Sequence, residues 1–292
     1  IAQIQRSGGT LLSQLFDSHP EIHSYPSELR LTNPKYDWTE KFNFITFFND
    51  RLLVSSAKKN DYKKDGSGLK KVLNKNEFKF DFFSQKIIFE SQKNKNNLRD
   101  NLNAYFTSFF NSFKNYNNKT GIKKFIIAFL PRFIFKLENI DLFYDIYSNG
   151  KIICVIRSPS NWLASAINHS EVYKKDPIEA LNLWKKSSLR TIEAKEKFKD
   201  KLLIVDFDDL INDTEETMKK LCKNLKLEFH KTLNSPSFNG ELIRSNSSFD
   251  STSGKIDKKT LDRKLPDNEI SKYSSMLKEC NNIKNDVLKY KI

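Results

Sequence analysis

The spacing of apolar residues predicts an alternation of strands and helices. Residues 151–156 and 201–210 are nearly continuous apolar runs, which are typical of strands buried on both faces of a parallel sheet. Residues 102–113 and 218–225 instead carry apolar side chains every three to four positions, the spacing of one helix face. This alternation predicts an α/β fold in which helices flank a central parallel sheet.

The rest of the chain divides into segments of different character. Residues 1–30 predict a first strand–loop–helix unit, whereas about 35–120 look like an insertion that is mostly helical. A loop-rich stretch covers about 235–265, and a helical pattern covers about 267–290. No internal repeat is present in the sequence, so we expect a single domain over 1–292.

Two adjacent glycines lie in the run Ile-Gln-Arg-Ser-Gly-Gly-Thr-Leu-Leu at residues 4–12. The apolar start, the glycine break and the resumed apolar pattern predict a strand, a tight loop and a helix N-terminus. Such a loop turns backbone N–H groups toward one point, where the helix dipole and the Arg6 guanidinium attract phosphate or sulfate. The alternative is a plain glycine turn into a core helix. The candidate anion-binding residues are Arg6, Ser7, Gly8, Gly9, Thr10 and Leu11.

This loop differs from that of the nucleoside triphosphatases. It lacks the G-x-x-x-x-G-K-[ST] pattern, and no Lys-Ser/Thr pair lies where a magnesium ion would need its hydroxyl ligand. We therefore expect an anionic nucleotide that is held without a metal ion. A small-molecule P-loop kinase is the alternative enzyme, and the missing pair argues against it.

A second candidate anion site follows the apolar run 151–156. Arg157 lies at the carboxyl end of that predicted strand, where ligands bind in open α/β sheets. A helix is predicted over 161–167, and it carries Ser165 about two turns further on. Arg157 and Ser165 together suit one phosphate, which the guanidinium and the hydroxyl would grip from two sides. The alternative is an arginine at a strand end and an unrelated helical serine.

The composition describes a globular chain with a strongly positive charge. Of its 292 residues, 38% are hydrophobic and 13% aromatic, and it contains only eight Gly and eight Pro, which excludes a low-complexity chain. The net charge of +14 fits a solvated lysine surface, an acidic glycan or peptide substrate, or a nucleic-acid patch. Because the lysines are dispersed and no zinc, homeodomain or RRM signature is present, we expect no nucleic-acid partner.

The cysteines and the hydropathy pattern bear on location. Cys154, Cys222 and Cys280 have no metal or redox spacing, so we expect structural thiols in a reducing compartment. No apolar run of about 18 residues exists, so no transmembrane helix is predicted. We expect a cytoplasmic protein, and leave open whether a signal or anchor precedes Ile1.

Together, the two anion motifs resemble those of sulfotransferases that use 3′-phosphoadenosine 5′-phosphosulfate. Residues 6–12 match the family's R-S-G-T-T-L-L pattern, with Gly9 in place of a threonine. Arg157, Pro159 and Ser165 match a later strand that ends in R-x-P, with a serine eight residues after the arginine. The similarity is greatest to the bacterial and tyrosylprotein-type members and weakest in the insertion. It implies a three-layer P-loop-type fold.

The resemblance also implies roles for these residues. The loop would hold the 5′-phosphosulfate, and Arg157 and Ser165 would hold the 3′-phosphate. Arg6 would in addition stabilise the charge that builds on the leaving phosphate. In related enzymes, a loop after the last core helix closes over the nucleotide and supplies hydroxyls and a lysine. The local candidates for that loop are Ser247, Ser248 and Lys255.

A general base is expected close to the loop. The tyrosylprotein enzymes carry a catalytic glutamate in an E-E-T-R segment, and Glu28, in the run Tyr-Pro-Ser-Glu-Leu-Arg, lies one position away from that pattern. We therefore predict that Glu28 is the base. The alternatives are a surface Glu28 paired with Arg30, or a base at His19, His23 or His169.

Two more positions depart from the family pattern. The family's K-x-P lysine assists the transition state, but the matching run here is Phe-Leu-Pro, with Phe129 in place of the lysine. Phe207 replaces the tyrosine of the family's Y-E-D-L strand, so that hydroxyl is lost. Our hypothesis is that Arg132, Lys123 or Lys124 supplies the missing cation. If none of them does, the chain is a weak enzyme or a binding-only descendant.

The sequence thus predicts a sulfotransferase of the EC 2.8.2 type, which moves sulfate to a hydroxyl of a carbohydrate, a lipid or a tyrosine. Residues 35–120 are expected to choose the acceptor. Besides the kinase, the alternative is a non-catalytic, basic nucleotide- or nucleic-acid-binding module, for which steep salt dependence is expected.

Overall fold

The structure is a computed structural model of the 292-residue chain. Residues 1–29, 81–94, 97–112, 121–243 and 252–292 are described. Most of the predicted insertion lies outside these ranges. Its described part consists of two helices that pack against each other. They are α2 (Phe82–Gln92) and α3 (Leu98–Ser112).

The strands form two parallel pairs and one short antiparallel hairpin. The predicted strand over 151–156 is confirmed, and all of its residues from 152 to 156 are buried. The parallel pairs are β1 (Ile22–Glu28) with β2 (Phe125–Phe129), and β3 (Ile152–Ile156) with β4 (Leu202–Asp206). The hairpin consists of β5 (Ser237–Phe238) and β6 (Glu241–Leu242).

The first residues of the chain join the two parallel pairs. The Ile1 ammonium donates to Ala128 O at 2.8 Å, in β2. The Ala2 N–H donates to Ile153 O at 3.0 Å, in β3. Residues 1–4 therefore run between β2 and β3 in the place of the predicted first strand, although they lack a regular ladder.

Helices cover both faces of these strands. They are α1 (Gly9–Phe16), α4 (Leu137–Ile146), α5 (Pro159–Ile167), α6 (Glu171–Lys175), α7 (Pro177–Phe198), α8 (Phe207–Asn212), α9 (Thr214–Leu225), α10 (Asp267–Lys272) and α11 (Ser274–Leu288). Alternate residues of β3 enter different apolar clusters: Cys154 and Ile156 pack with α3, α4, α7 and α11, whereas Ile153 and Val155 pack with α1, α8 and α9. This three-layer arrangement confirms the predicted α/β fold.

Two boundaries differ from the sequence prediction. The strand expected over 201–210 ends at Asp206, because the Asp206 carboxylate accepts from the Asp208 N–H at 3.2 Å and caps α8. The single helix expected over about 267–290 is divided into α10 and α11 at Tyr273, whose backbone leaves the helical region at φ −107° and ψ 14°.

The three cysteines are free and buried. Burial raises the pKa of the Cys154 thiol to about 12, so this thiol is unreactive at neutral pH. Within the described ranges, no helix is long and apolar enough to cross a membrane. The same residues contain no cluster of His, Cys, Asp or Glu side chains that would hold a metal ion.

Candidate anion-binding active site

The glycine loop lies at the edge of the sheet where the parallel strands end. Its backbone turns sharply, with Arg6 at φ 68° and Gly8 at φ 103°, and α1 begins at Gly9. Among the described residues, no side chain caps this helix. The first N–H groups of a helix have no intrahelical acceptor, so they are available to an anion together with the helix dipole. The loop therefore has the geometry that the sequence predicts.

Two phenylalanine rings pack directly on the loop glycines. A Cβ at Gly8 would lie 2.6 Å from the Phe207 ring, and a Cβ at Gly9 would lie 2.5 Å from the Phe129 ring. Neither glycine can carry a side chain unless a ring moves. Phe129, Phe207 and Gly9 are also the three positions at which a different residue type replaces that of the family pattern. The Phe129 ring therefore occupies the space that a threonine side chain at position 9 would need.

The structure brings both predicted anion motifs together. Arg157 follows β3 and donates from Nη1 to Arg6 O at 2.9 Å. Arg6 in turn donates from Nε to Ser165 Oγ at 3.2 Å. Helix α5, which carries Ser165, starts at this edge because Ser158 caps it and Pro159 occupies its first turn. The loop, the arginine and the serine thus form one hydrogen-bonded cluster.

The cluster concentrates positive charge in a poorly hydrated place. Burial, followed by the nearby charges of Arg6 and Arg263, lowers the pKa of Arg157 to about 9. Burial and then Arg263 also lower the pKa of Arg6. The Arg157 guanidinium lies 4.5 Å from the ring centroid of Phe207, a cation–π contact. Three neighbouring guanidinium groups are stabilised when an anion binds among them, so the site fits phosphate or sulfate.

Glu28 lies at the same edge of the sheet. It is the last residue of β1, and the parallel register places it beside Phe129 at the end of β2. Its carboxylate is half-buried. Its charge raises the pKa of Arg6, against the larger effects that lower it. The predicted base is therefore close enough to the loop arginine to interact with it electrostatically.

The histidine alternatives have different surroundings. His19 is buried, and its Nε2 lies 2.9 Å from Glu228 O, which gives it a packing role. His23 stacks on an aromatic ring of α3, and burial lowers its pKa to about 4. Burial, followed by the charge of Arg6, lowers the pKa of His169. His169 is therefore close enough to the loop arginine to interact with it electrostatically.

The three cations suggested as replacements for the family lysine are not equivalent. Lys123 donates to Pro20 O at 2.7 Å, and Lys124 pairs with a neighbouring glutamate, both at the amino end of β2. These two lysines are wrong candidates, because the anion site lies at the opposite end of that strand. Arg132 donates from Nε to Gln5 Oε1 at 3.0 Å, so it contacts the residue before Arg6.

The candidates in the stretch expected to cover the nucleotide, about 235–265, are only partly described. Ser247 and Ser248 lie outside the described residues. Lys255 is exposed, and its backbone N–H donates to Thr252 O at 3.1 Å. The covering stretch nevertheless reaches the site further along the chain, where Arg157 donates from Nη2 to a backbone oxygen of a 3₁₀ turn over Lys258–Thr260.

Sequence reasoning missed two residues of this cluster. Asn161 accepts a hydrogen bond from Arg157 Nε and is buried. Its position four residues after Arg157, in the first turn of α5, was a usable signal. Arg263 adds the third positive charge, but it is one of several cations in the sequence around it. No pattern distinguishes it from those neighbours.

A cavity of about 850 Å³ lies elsewhere in the molecule. Its walls include Phe125 of β2 together with Gly150 and Lys151 before β3. It also reaches Leu29 and Leu130, just beyond the carboxyl ends of β1 and β2. None of Arg6, Arg157, Ser165 and Arg263 lines it, so it is distinct from the anion site.

The structure is that of an α/β protein with a cluster of guanidinium groups beside a helix N-terminus, and comparison with known proteins identifies its family. A model described as "Sulfotransferase family" matches residues 1–231. The chain belongs to this sulfotransferase family. No curated protein sequence matches it.

Solved structures show the same fold over nearly the whole chain. One is the sulfotransferase domain from the curacin biosynthetic pathway, with TM-score 0.56 and 16% identity, covering 95% of this chain and 96% of that one. A second is the sulfotransferase domain from the Synechococcus PCC 7002 olefin synthase, with TM-score 0.55, 14% identity and 96% and 92% coverage. A third is a sulfotransferase from Alicyclobacillus acidocaldarius, with TM-score 0.50, 11% identity and 100% and 95% coverage.

Proposed function

We propose that this chain transfers the sulfuryl group of 3′-phosphoadenosine 5′-phosphosulfate to an acceptor hydroxyl. Membership of the sulfotransferase family supports sulfuryl transfer in general. The observation that carries the choice of donor is the pair of contacts Arg157 Nη1 to Arg6 O and Arg6 Nε to Ser165 Oγ. A nucleotide with separate 5′ and 3′ anionic groups needs two such neighbouring subsites.

In this proposal, each of the two subsites binds a different anionic group of the nucleotide. The backbone N–H groups of residues 7–11 and the Arg6 guanidinium bind the 5′-phosphosulfate. Arg157 and Ser165 bind the 3′-phosphate, and Arg263 adds its charge to theirs. Three neighbouring guanidinium groups, of which that of Arg157 is buried, suit such a ligand. So do a helix N-terminus without a side-chain cap among the described residues and a loop that admits no Cβ at Gly8.

The chain's own groups supply the remaining chemistry. Glu28 takes the proton of the acceptor hydroxyl as the oxygen–sulfur bond forms. The bond between sulfur and the 5′-phosphate oxygen breaks, and its electron pair stays on that oxygen. Arg6 stabilises the charge that develops there, and Arg132, which is bonded to Gln5, is positioned to support it. The products are the 3′,5′-bisphosphate, the sulfate ester and a proton on Glu28.

The acceptor belongs to the carbohydrate, lipid or tyrosine hydroxyls. The net charge of +14 favours an acidic glycan or peptide over a neutral acceptor. Among the described residues, Tyr25 of β1 and Tyr105 of α3 form a buried pair, with their hydroxyls 2.9 Å apart. Burial raises the pKa of both phenols, so neither acts as a base near neutral pH.

The nucleotide is tested by thermal melting with 3′-phosphoadenosine 5′-phosphate, ADP and AMP. A ligand that binds only the folded state stabilises it by about 2.7 kcal/mol at about one hundred times its dissociation constant. We expect a larger shift with the 3′-phosphorylated nucleotide than with the others, and loss of that preference in Arg157→Ala. The matched control is Arg190→Ala, whose guanidinium is exposed and paired with Glu193. Equal shifts with ADP would overturn the choice of donor.

The base is tested with Glu28→Gln. We expect turnover to fall by about 10²-fold or more while the affinity for 3′-phosphoadenosine 5′-phosphate is retained. The assay follows release of that nucleotide with a panel of carbohydrate, lipid and tyrosine-peptide acceptors. Glu171→Gln, an exposed glutamate of α6, is the control. Equal losses of affinity and turnover would show that Glu28 is not the base.

A further inference from the structure

One amide side chain links the arginine cluster to the C-terminal part of the chain. Asn161 is 6% exposed and lies in the first turn of α5, where its N–H donates to Ser158 Oγ at 3.4 Å. Its Oδ1 accepts from Arg157 Nε. Its Nδ2 lies within hydrogen-bond distance of three backbone oxygens: Thr260 O at 3.0 Å, Leu261 O at 3.1 Å and Arg263 O at 2.9 Å.

We infer that Asn161 is a positioning residue, which fastens residues 257–263 onto Arg157 and so holds Arg263 beside the anion site. This inference rests on the proposed function, because it concerns the order of the nucleotide's 3′ subsite. It assigns Asn161 no contact with the nucleotide itself. Its effect on binding passes through Arg157 on one side and Arg263 on the other.

The fastened segment also has attachments of its own: Lys258 Nζ donates to Asn212 O at 3.4 Å, and Leu261 packs against the apolar cluster of α1, α8 and α9. It contains the 3₁₀ turn Lys258–Thr260, whose two lysines are exposed. The carbonyl oxygens that leave such a turn have no partner in the turn itself and need donors from elsewhere. The Asn161 side-chain amide supplies N–H donors for these carbonyl oxygens. Arg157 Nη2 adds one more hydrogen bond, to Thr260 O at 3.2 Å. Removing the Asn161 amide therefore removes three hydrogen-bond contacts to this backbone and leaves the bond from Arg157 Nη2 to Thr260 O.

The chemistry of the amide explains why this position suits asparagine. Arg157 needs an acceptor, whereas the carbonyl oxygens need a donor, and an amide offers both from one short side chain. An aspartate retains the acceptor for Arg157 but turns a negative oxygen toward the carbonyls. An alanine loses both functions. The two substitutions therefore separate the two sides of the link.

The first test is limited trypsin digestion of the free protein. Asn161→Ala is expected to accelerate cleavage after Lys258, Lys259 and Arg263 by about tenfold, since cleavage follows the population of the opened segment. Asn161→Asp is expected to accelerate cleavage at these sites to a similar degree, because it also lacks the N–H donors. It decides the test if the alanine variant does not fold. The matched control is Asn168→Ala, an exposed amide at the end of the same helix that bonds only to Ala164 O, at 2.8 Å. Cleavage of the folded Asn161 variants at the control rate would overturn the inference.

The second test is a double-mutant cycle on the affinity for 3′-phosphoadenosine 5′-phosphate. If Asn161 acts through Arg263, Asn161→Ala weakens binding by about five- to tenfold in the native chain but by less than about twofold in the Arg263→Ala background. Equal losses in both backgrounds would overturn the positioning role. If the native chain binds no 3′-phosphorylated nucleotide, the proposed function fails, whereas the digestion result still decides whether Asn161 fastens the segment.

Discussion

The two halves of the anion site offer different chemical groups to a ligand, backbone N–H groups in one and side chains in the other. The loop half, residues 6–11, offers backbone N–H groups, and its two glycines lie against phenylalanine rings. The other half offers side chains, chiefly those of Arg157 and Ser165, held by bonds to the loop and to residues 257–263. The loop half should therefore be sensitive to substitutions that add a side chain at a glycine. The other half should be sensitive to substitutions that remove a side-chain hydrogen-bonding group.

The largest effect is expected from adding one methyl group to the loop. Gly8→Ala places a Cβ 2.6 Å from the Phe207 ring, at a φ of 103° that L-residues rarely adopt. Strain and overpacking together should lower the free energy of unfolding by ~2–4 kcal/mol. Urea unfolding followed by circular dichroism measures this loss.

A second glycine separates the effect of backbone strain from the effect of overpacking against a ring. Gly121 also has a left-handed φ, of 78°, but its nearest neighbour is Pro20 O at 3.2 Å rather than a ring. Gly121→Ala should cost chiefly the strain, about 1–2 kcal/mol, because its contact with that carbonyl oxygen is much less close than the one at Gly8. If Gly8→Ala costs no more than this control, the Phe207 contact does not constrain the loop.

The next effect concerns the matched pair of Gly9 and Phe129. Gly9→Ala places a Cβ 2.5 Å from the Phe129 ring and should cost ~1–3 kcal/mol of stability by overpacking. In a Phe129→Leu background, the added methyl should cost less, with a coupling energy of ~1–2 kcal/mol. Urea unfolding of the four proteins in this cycle measures the coupling. Additive costs would show that Gly9 and Phe129 are not energetically coupled.

The sequence was sufficient to predict the parts of the site that are local. Arg157 comes directly after an unbroken apolar run, so it had to lie at a strand end, and Ser165 had to follow on the next helix. The glycines at 8 and 9 interrupt an apolar pattern, which predicted the loop. In each case a few neighbouring residues fix the geometry, and no long-range contact is needed.

What the sequence did not reveal depends on residues far apart in the chain. The contact of Phe129 with Gly9 spans about 120 positions, and the bond of Asn161 to residues 260–263 spans about 100. Lys123 and Lys124 were wrong candidates because charge alone does not show which end of β2 a side chain occupies. The strand after Lys201 was predicted too long, because the cap at Asp206 competes with the strand for the same backbone.

The charged half of the site should be sensitive to alkaline pH. The pKa of Arg157 is about 9 in the free protein, below its ordinary value, and a bound phosphate favours the charged form. Nucleotide affinity should therefore fall as pH rises through about 9, by about tenfold over the next pH unit. The free energy of unfolding should instead rise with pH over this range. Above this pKa the folded chain loses the Arg157 proton while the unfolded chain retains it, and stability rises with pH wherever the unfolded state binds more protons.

Isothermal titration with 3′-phosphoadenosine 5′-phosphate at about pH 8, 9 and 10 measures this dependence. Arg157→Ala is the control, since its weaker binding should vary less over the same range. An equal decline in the native and Arg157→Ala proteins would assign the titration to other groups.

The smallest effect is expected from Ser165→Ala. Its hydroxyl accepts from Arg6 Nε at 3.2 Å in the structure, whereas the family resemblance assigns it to the 3′-phosphate. A direct phosphate contact predicts about fivefold weaker binding of 3′-phosphoadenosine 5′-phosphate and little change for AMP. Ser160→Ala, on the same helix but bonded to Ser158 Oγ instead, should bind both nucleotides normally. Equal losses for the two nucleotides would mean that Ser165 acts by orienting Arg6, and would place this serine with the loop half of the site.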